Sequence, residues 1–124
     1  MLRKQKSIGK TLLVGDTMKK YRDLVVEIMK DPEEATEYLK SSFDEYSIDG
    51  DIEALLTAIK SVAKAQGGMT ELAKKTNLNR QALYKTLSKN GNPKIKTLWS
   101  VLNSLGYRLT LEPAVPIRIK QVIH

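Results

Sequence analysis

Apolar residues recur every three or four positions through most of this chain, which is the spacing of helices that bury one face. Three long series have this spacing, and they begin at Tyr21, Ala35 and Ile52. Shorter helical patterns follow at Glu71–Lys75, Arg80–Lys89 and Lys96–Leu105. The pattern therefore predicts an all-α fold.

Polar side chains that favour helix starts stand before four of these helices. A side-chain oxygen at this position accepts a hydrogen bond from a backbone N–H group that has no partner inside the helix. The predicted capping residues are Asp31, followed by Pro32, and then Asp51, Thr70 and Asn79.

The segment Tyr107–Glu112 differs because apolar and polar residues alternate strictly, which predicts a short half-buried β-strand that Pro113 ends. A single strand needs a partner, and a second copy of the chain could supply it. The tail could add a second strand or be disordered. We divide the chain into a flexible N-terminal tail (1–17), an acidic helical segment (18–50), a DNA-binding domain (51–112) and a C-terminal tail (113–124). Met18 offers an alternative translation start.

The residue composition excludes several chemistries. The chain has no Cys, and its one His is the last residue, His124, which excludes a disulfide scaffold, a zinc site built on Cys and a His-based triad. No apolar run approaches the roughly 20 residues of a membrane span. We expect a cytoplasmic protein that is not an enzyme and that has no cofactor, no bound metal and no membrane partner.

Charge is segregated along the chain. Residues 1–30 carry a net charge of +5, residues 31–53 carry −8 and residues 54–124 carry +10. A basic module behind an acidic segment suggests two different partners, with nucleic acid as the candidate for the basic part. An ordinary solvated surface is the alternative explanation.

The segment Met69–Ser88 carries the most specific pattern. Two short helices meet over Thr76-Asn77-Leu78, and Asn77 occupies a turn position that favours a residue able to adopt the left-handed conformation. This is a helix-turn-helix pattern, and the helices before and after it would complete a lambda-repressor-like five-helix bundle with extra N-terminal helices. The residues spaced to pack on a common core are Leu72, Ala73, Leu78, Leu83 and Leu87.

The second of these helices leaves polar side chains facing outwards. Arg80 and Gln81 lie in its first turn, where bidentate contacts to guanine and adenine edges occur in the major groove. Lys74, Lys75, Lys94 and Lys96 are candidates for phosphate contacts, as is Thr70. An ordinary polar face of a small helical bundle is the alternative. The predicted DNA-binding residues are Thr70, Asn79, Arg80, Gln81, Tyr84, Lys85, Ser88 and Lys89.

Three stretches resemble the HigA-type antitoxins, the antidote proteins of addiction modules with an Xre/Cro-like helix-turn-helix. They are DPEEATEYL (Asp31–Leu39), AIKSVAKAQGGMTELAKKTNLNRQALYKTLS (Ala58–Ser88) and GNPKIKTLWSVLNSLGYRL (Gly91–Leu109). The resemblance implies that the protein neutralises a small RelE/ParE-like toxin and binds the operator of its own operon as a dimer. Asn77 departs from the family pattern, which usually has Gly there.

The acidic segment could then bind the toxin, because a toxin that binds RNA must be basic. An acidic exposed helix face with no partner is the alternative. Two other functions stay open: a stand-alone phage-type repressor without a toxin, and a protein-interaction module that no longer binds DNA. The predicted partner-binding residues are Glu33, Glu34, Glu37, Tyr38, Asp44 and Glu45.

Overall fold

The computed structural model describes residues 17–88 and 90–114, and within these ranges the regular structure is entirely helical. The all-α prediction is therefore confirmed for this part of the chain. No helix within it combines the length and the apolar character that crossing a membrane requires. The helices are α1 (17–28), α2 (Pro32–Asp49), α3 (Ile52–Ala65), α4 (Met69–Thr76), α5 (Arg80–Thr86) and α6 (Ile95–Ser104).

Two of the predicted caps begin the longest helices. Asp31 is extended, and its carboxylate accepts a hydrogen bond of 3.0 Å from the backbone N–H of Glu33 at the start of α2. Asp51 does the same for α3, with a distance of 3.1 Å to the N–H of Glu53. Gly50 has a φ of 69° between the two helices, where a side chain would be strained. Asp31 thus fixes the start of α2, while Gly50 and Asp51 fix the α2–α3 corner.

The predicted cap at Thr70 is wrong. The helix α4 begins at Met69, its capping position is Gly68, and no side chain caps it. Gly67 and Gly68 have φ values of 119° and 91°, which residues with a side chain rarely adopt. These glycines turn the chain sharply after α3, so that α4 begins earlier than Thr70 could cap it. Thr70 instead lies exposed in the first turn.

One continuous core joins the elements from the end of α1 to α6. The central helix is α3, which packs against α2 on one side and α4 on the other, while α4 also packs against α5 and α6. Burial of apolar side chains is the main force that holds such a bundle together. The largest fully buried side chains are Leu55, Leu56, Ile59, Val62, Leu83, Leu87 and Val101.

A side-chain hydrogen bond ties the α1–α2 corner to the end of α3. The amide Nε2 of Gln66 donates to the carbonyl oxygen of Met29 at 2.8 Å. Met29 itself is buried in the core. The N-terminal helix is thereby connected to the segment that leads into α4.

The predicted strand Tyr107–Glu112 is not formed in this structure, where the segment is irregular. A strand needs a hydrogen-bonded neighbour, and the described residues supply none. The segment is held at its start, where the Tyr107 N–H donates to the Leu102 carbonyl at 2.8 Å. The Tyr107 hydroxyl also lies 3.1 Å from the Thr36 hydroxyl of α2. The predictions for residues 1–16, Lys89 and 115–124 fall outside the described residues.

Candidate nucleic-acid interface and acidic face

The turn between α4 and α5 has the backbone conformation that the sequence predicts. Asn77 has φ 61° and ψ 24°, and its N–H donates to the carbonyl of Ala73. Among the described residues it is the one non-glycine residue with a positive φ. Asn tolerates this left-handed conformation better than most residues. The turn therefore forms without the glycine that is usual in the resembling family.

Apolar packing fixes which side of α5 faces outwards. Leu83 and Leu87 are fully buried, and Leu72 and Ala73 of α4 are buried against the same core. Leu78 in the turn is half-buried. The predicted core positions of this pair are thus confirmed, and the opposite face of α5 is left to solvent.

The first turn of α5 carries the side chains predicted to contact bases. Arg80, Gln81 and Lys85 are exposed. Asn79 is exposed too, but its side-chain oxygen accepts a hydrogen bond of 2.6 Å from the N–H of Ala82. The side-chain oxygen of Asn79 therefore caps the helix, and only its amide nitrogen is left to bind another molecule.

Two further predicted residues have partners within α5 or just after it. The guanidinium carbon of Arg80 lies 5.5 Å from the ring centre of Tyr84, in a cation–π contact across one helical turn. Ser88 donates from its hydroxyl to the Lys85 carbonyl at 2.7 Å. Tyr84 and Ser88 are both half-buried. The contact with Tyr84 restricts the conformations of Arg80, which lowers the entropy that Arg80 loses when it binds a ligand.

Gly91 is a structural requirement that the sequence analysis missed. A Cβ atom at this position would collide with the backbone carbonyl of Thr86 at the end of α5. The Gly91 N–H also donates to the Ser88 carbonyl at 2.8 Å. The chain thus passes close against the last turn of α5, and the sequence signal was the Gly-Asn-Pro loop.

The surface around this helix pair is basic. Within residues 54–114 the two acidic residues are Glu71 and Glu112. The exposed cations that surround α4, α5 and α6 attract phosphate groups and would position a nucleic acid. They are Lys74, Lys75, Arg80, Lys85, Lys94 and Lys96.

The predicted partner-binding residues lie on α2, away from the α4–α5 pair in sequence. Five of the six are exposed, and Tyr38 is half-buried. Burial raises the pKa of the Tyr38 hydroxyl above its ordinary value, and the neighbouring Tyr21 and Glu45 raise it further. The exposed carboxylates are Glu33, Glu34, Glu37, Asp44 and Glu45.

These carboxylates do not form a metal centre. In residues 17–88 and 90–114, no group of three His, Cys, Asp or Glu side chains converges closely enough to hold an ion. The five exposed carboxylates of α2, which we call the acidic face, create a region of negative potential at the surface.

Comparison with known proteins identifies the family of this chain. The chain matches the family described as "Probable addiction module antidote protein" over residues 18–113, and it belongs to that family. It is also 31% identical over 88 residues to an uncharacterized protein of Haemophilus influenzae. The aligned stretch covers 71% of this chain and 86% of that protein. No solved structure matches the chain significantly.

Proposed function

We propose that this protein is the antitoxin of a type II toxin-antitoxin module. It neutralises a small basic RelE/ParE-like toxin, and it binds operator DNA to repress its own operon. Both activities would take place in the cytoplasm, and neither requires catalysis by this chain.

Membership of the antidote family supports the first activity, because an antidote requires a toxin of some kind. The charge of −8 over residues 31–53 indicates the chemistry of that partner. Exposed carboxylates on α2 attract a basic protein and would compete with RNA for its cationic surface. This reasoning favours an antitoxin over a stand-alone phage-type repressor.

One observation carries the DNA-binding proposal. Arg80, Gln81 and Lys85 of α5 are exposed, whereas Leu83 of α5 and Leu87 just after it are buried, and Gln81 and Lys85 lie on the side away from these leucines. A short helix anchored in this way, after a tight turn and within a basic surface, suits insertion into the major groove. The α4–α5 pair would then be the helix-turn-helix of a lambda-repressor-like bundle.

The protein would bind its operator as a homodimer. Two half-sites about one helical turn apart, roughly 34 Å, are the usual target of such domains. The outer face of α6 supports this, because Ile95 is 73% exposed and Trp99 is 51% exposed. Apolar side chains that project from one helix face at this spacing are typical of a protein interface.

Co-expression tests the toxin-binding activity. The untagged protein is produced together with the tagged product of the gene next to its own, and growth is followed with each gene alone and with both. We expect growth arrest by the neighbour alone, rescue by both, and a complex of constant stoichiometry. A neighbour that neither binds nor arrests growth would leave only the repressor function.

Binding to the promoter of the operon tests the second activity. We expect specific binding, with an affinity that falls steeply with salt as phosphate contacts require. Equal affinity for the promoter and for unrelated DNA would remove the repressor function and leave a protein-interaction module.

A further inference from the structure

Helix α1 carries more exposed large apolar side chains than any other helix in the described part of the chain. Met18, Tyr21, Leu24 and Ile28 recur at three- and four-residue spacing, so they form one stripe along the helix. Their exposed fractions are 47%, 62%, 56% and 43%. Single exposed apolar residues are ordinary, but four on one helix face are not. We call these four residues the α1 stripe.

The α1 stripe is not the surface that attaches α1 to the core. That attachment is made by Val25, which packs half-buried against the core, and by the buried Met29 just after the helix. The hydrogen bond from Gln66 to the Met29 carbonyl strengthens the same attachment. The α1 stripe therefore lies next to the core-facing side of α1, and its side chains are not buried by the described residues.

The α1 stripe borders the acidic face of α2. The carbonyl of Ile28, the last residue of the stripe, accepts a 3.1 Å hydrogen bond from the N–H of Asp31, which caps α2, and Tyr21 is near enough to Tyr38 of α2 to raise the pKa of its hydroxyl. Glu34 and Glu45 lie one and two helical turns from Tyr38 on the same side of α2. An apolar strip and a row of carboxylates thus form one composite surface.

We propose that the α1 stripe is the apolar half of the toxin-binding surface, and that it inserts into an apolar groove on a basic toxin whose cationic rim faces the carboxylates of α2. This inference rests on the proposed function. It assigns to the partner both a positive charge and an apolar groove. The groove follows because a helix with apolar residues at this spacing typically binds by laying its apolar face into such a groove. Apolar contacts supply the stability of such complexes, and charges supply the rate and the specificity.

Charge distinguishes this partner from other occupants. The segment 31–53 carries −8, which repels nucleic acid and the anionic surface of a membrane. A second copy of the chain bound along the α1 stripe would bring two such segments together. A basic protein is the partner for which both halves of the surface are favourable.

The test uses the full-length chain and the product of the neighbouring gene, made catalytically inactive so that it can be purified. The variant Tyr21→Ser with Leu24→Ser removes two side chains of the α1 stripe. The control Lys19→Ser with Asp23→Ser changes two exposed residues on the polar face of the same helix and preserves the net charge. Calorimetry measures partner affinity, light scattering measures oligomeric mass, and thermal melting verifies that each variant is folded.

We expect the stripe variant to bind the partner about a hundredfold more weakly than the wild type, since central apolar residues dominate interface energies. The control should bind within about twofold of the wild type, because exposed side chains outside an interface contribute little. Both variants should melt near the wild-type temperature and keep the wild-type mass.

Three results would overturn the inference, and they are distinguishable. Wild-type affinity in the stripe variant would remove the α1 stripe from the interface and leave the antitoxin function intact. A lower oligomeric mass with unchanged partner affinity would assign the stripe to a second copy of this chain. Failure of the wild type itself to bind the partner would remove the toxin-binding function along with the inference.

Discussion

The predicted DNA-binding residues on α5 and at its two ends differ in whether their hydrogen-bonding groups already have partners. The oxygen of Asn79 caps the helix, and the hydroxyl of Ser88 donates to a backbone carbonyl. Gln81 and Lys85 have no such partner among the described contacts, and Arg80 contacts only the face of a ring. The spacing of apolar residues predicts which side chains are exposed, because two buried leucines determine which side of α5 faces the core. It does not predict these local bonds, because they depend on side-chain geometry.

We expect Arg80→Ala and Gln81→Ala each to weaken operator binding by about 1–3 kcal/mol and to relax the preference for the operator sequence. Each change would remove the two hydrogen bonds to a base edge that the proposal assigns to the side chain, and neither side chain is buried. Fluorescence anisotropy with promoter and unrelated DNA measures both effects. Arg108→Ala is the matched control, because Arg108 is exposed and lies outside the α4–α5 pair. An equal loss in the Arg108 variant would show that only net charge matters.

Leu83 tests the packing that orients α5. Its side chain is fully buried, so Leu83→Ala leaves a cavity and should lower the free energy of unfolding by about 2–5 kcal/mol. Urea unfolding followed by circular dichroism measures this value. Ile48→Ala serves as the control, since Ile48 is 86% exposed and its loss should change stability by less than about 0.5 kcal/mol. Similar midpoints for the two variants would contradict the proposed orientation of α5.

Helix starts were predictable wherever a side chain determines them. Asp31, Asp51 and Asn79 each accept a backbone hydrogen bond at a predicted start. The prediction failed at Thr70, because the Gly67-Gly68 turn allows α4 to begin without a side-chain cap. The segment Tyr107–Glu112 is irregular in the single chain, because alternation shows which side chains a strand would bury and does not supply the partner strand that the prediction requires, for example from a second copy.

The loop after α5 provides a test at the scale of the element. Gly91→Ala would place a methyl group against the backbone of Thr86, which cannot move without shifting the end of α5. We expect a loss of about 1–3 kcal/mol in stability, as is usual when extra atoms enter a packed site, together with weaker operator binding. Asn90→Ala is the control in the same loop, where the side chain is exposed. A Gly91 variant with unchanged melting temperature would mean that the loop has room to relax.

At the scale of the whole molecule, the two faces differ in the sign of their charge. The acidic face is carried by α2 and the basic surface by the helices after α3, so one chain can serve two partners of opposite charge. Sequence arithmetic predicts this division completely, because it needs only the order of charged residues. It does not reveal the α1 stripe, because the same apolar spacing is found in helices that bury it.

Neutralising part of the acidic face tests its role. The variant Glu37→Gln, Asp44→Asn, Glu45→Gln leaves the first turn of α2 intact, so helix stability should be preserved. We expect association with the basic partner to slow about tenfold at low salt, because electrostatic attraction mainly speeds encounter. The difference should vanish near 1 M salt, where charges are screened within about 3 Å. Stopped-flow mixing measures the rates.

There are two controls. One is operator binding by the same triple variant, and the other is the rate at which the Glu112→Gln variant associates with the partner. Both should match the wild type, since Glu112 lies outside the acidic segment. A slower association that persists at high salt would mean that these carboxylates make direct contacts and do not act by steering.

The single core has a consequence for the lifetime of the protein. Residues of α2, α3, α4, α5 and α6 belong to one buried cluster, so helix α5, which carries Arg80 and Gln81, has no core of its own. A partner bound on α1 and α2 stabilises the folded state of the entire chain by an amount that grows with the partner's concentration. Proteases that attack the unfolded chain would therefore remove unoccupied molecules first. The concentration of folded protein that presents the proposed DNA-binding surface would then rise and fall with the concentration of the partner in the cell.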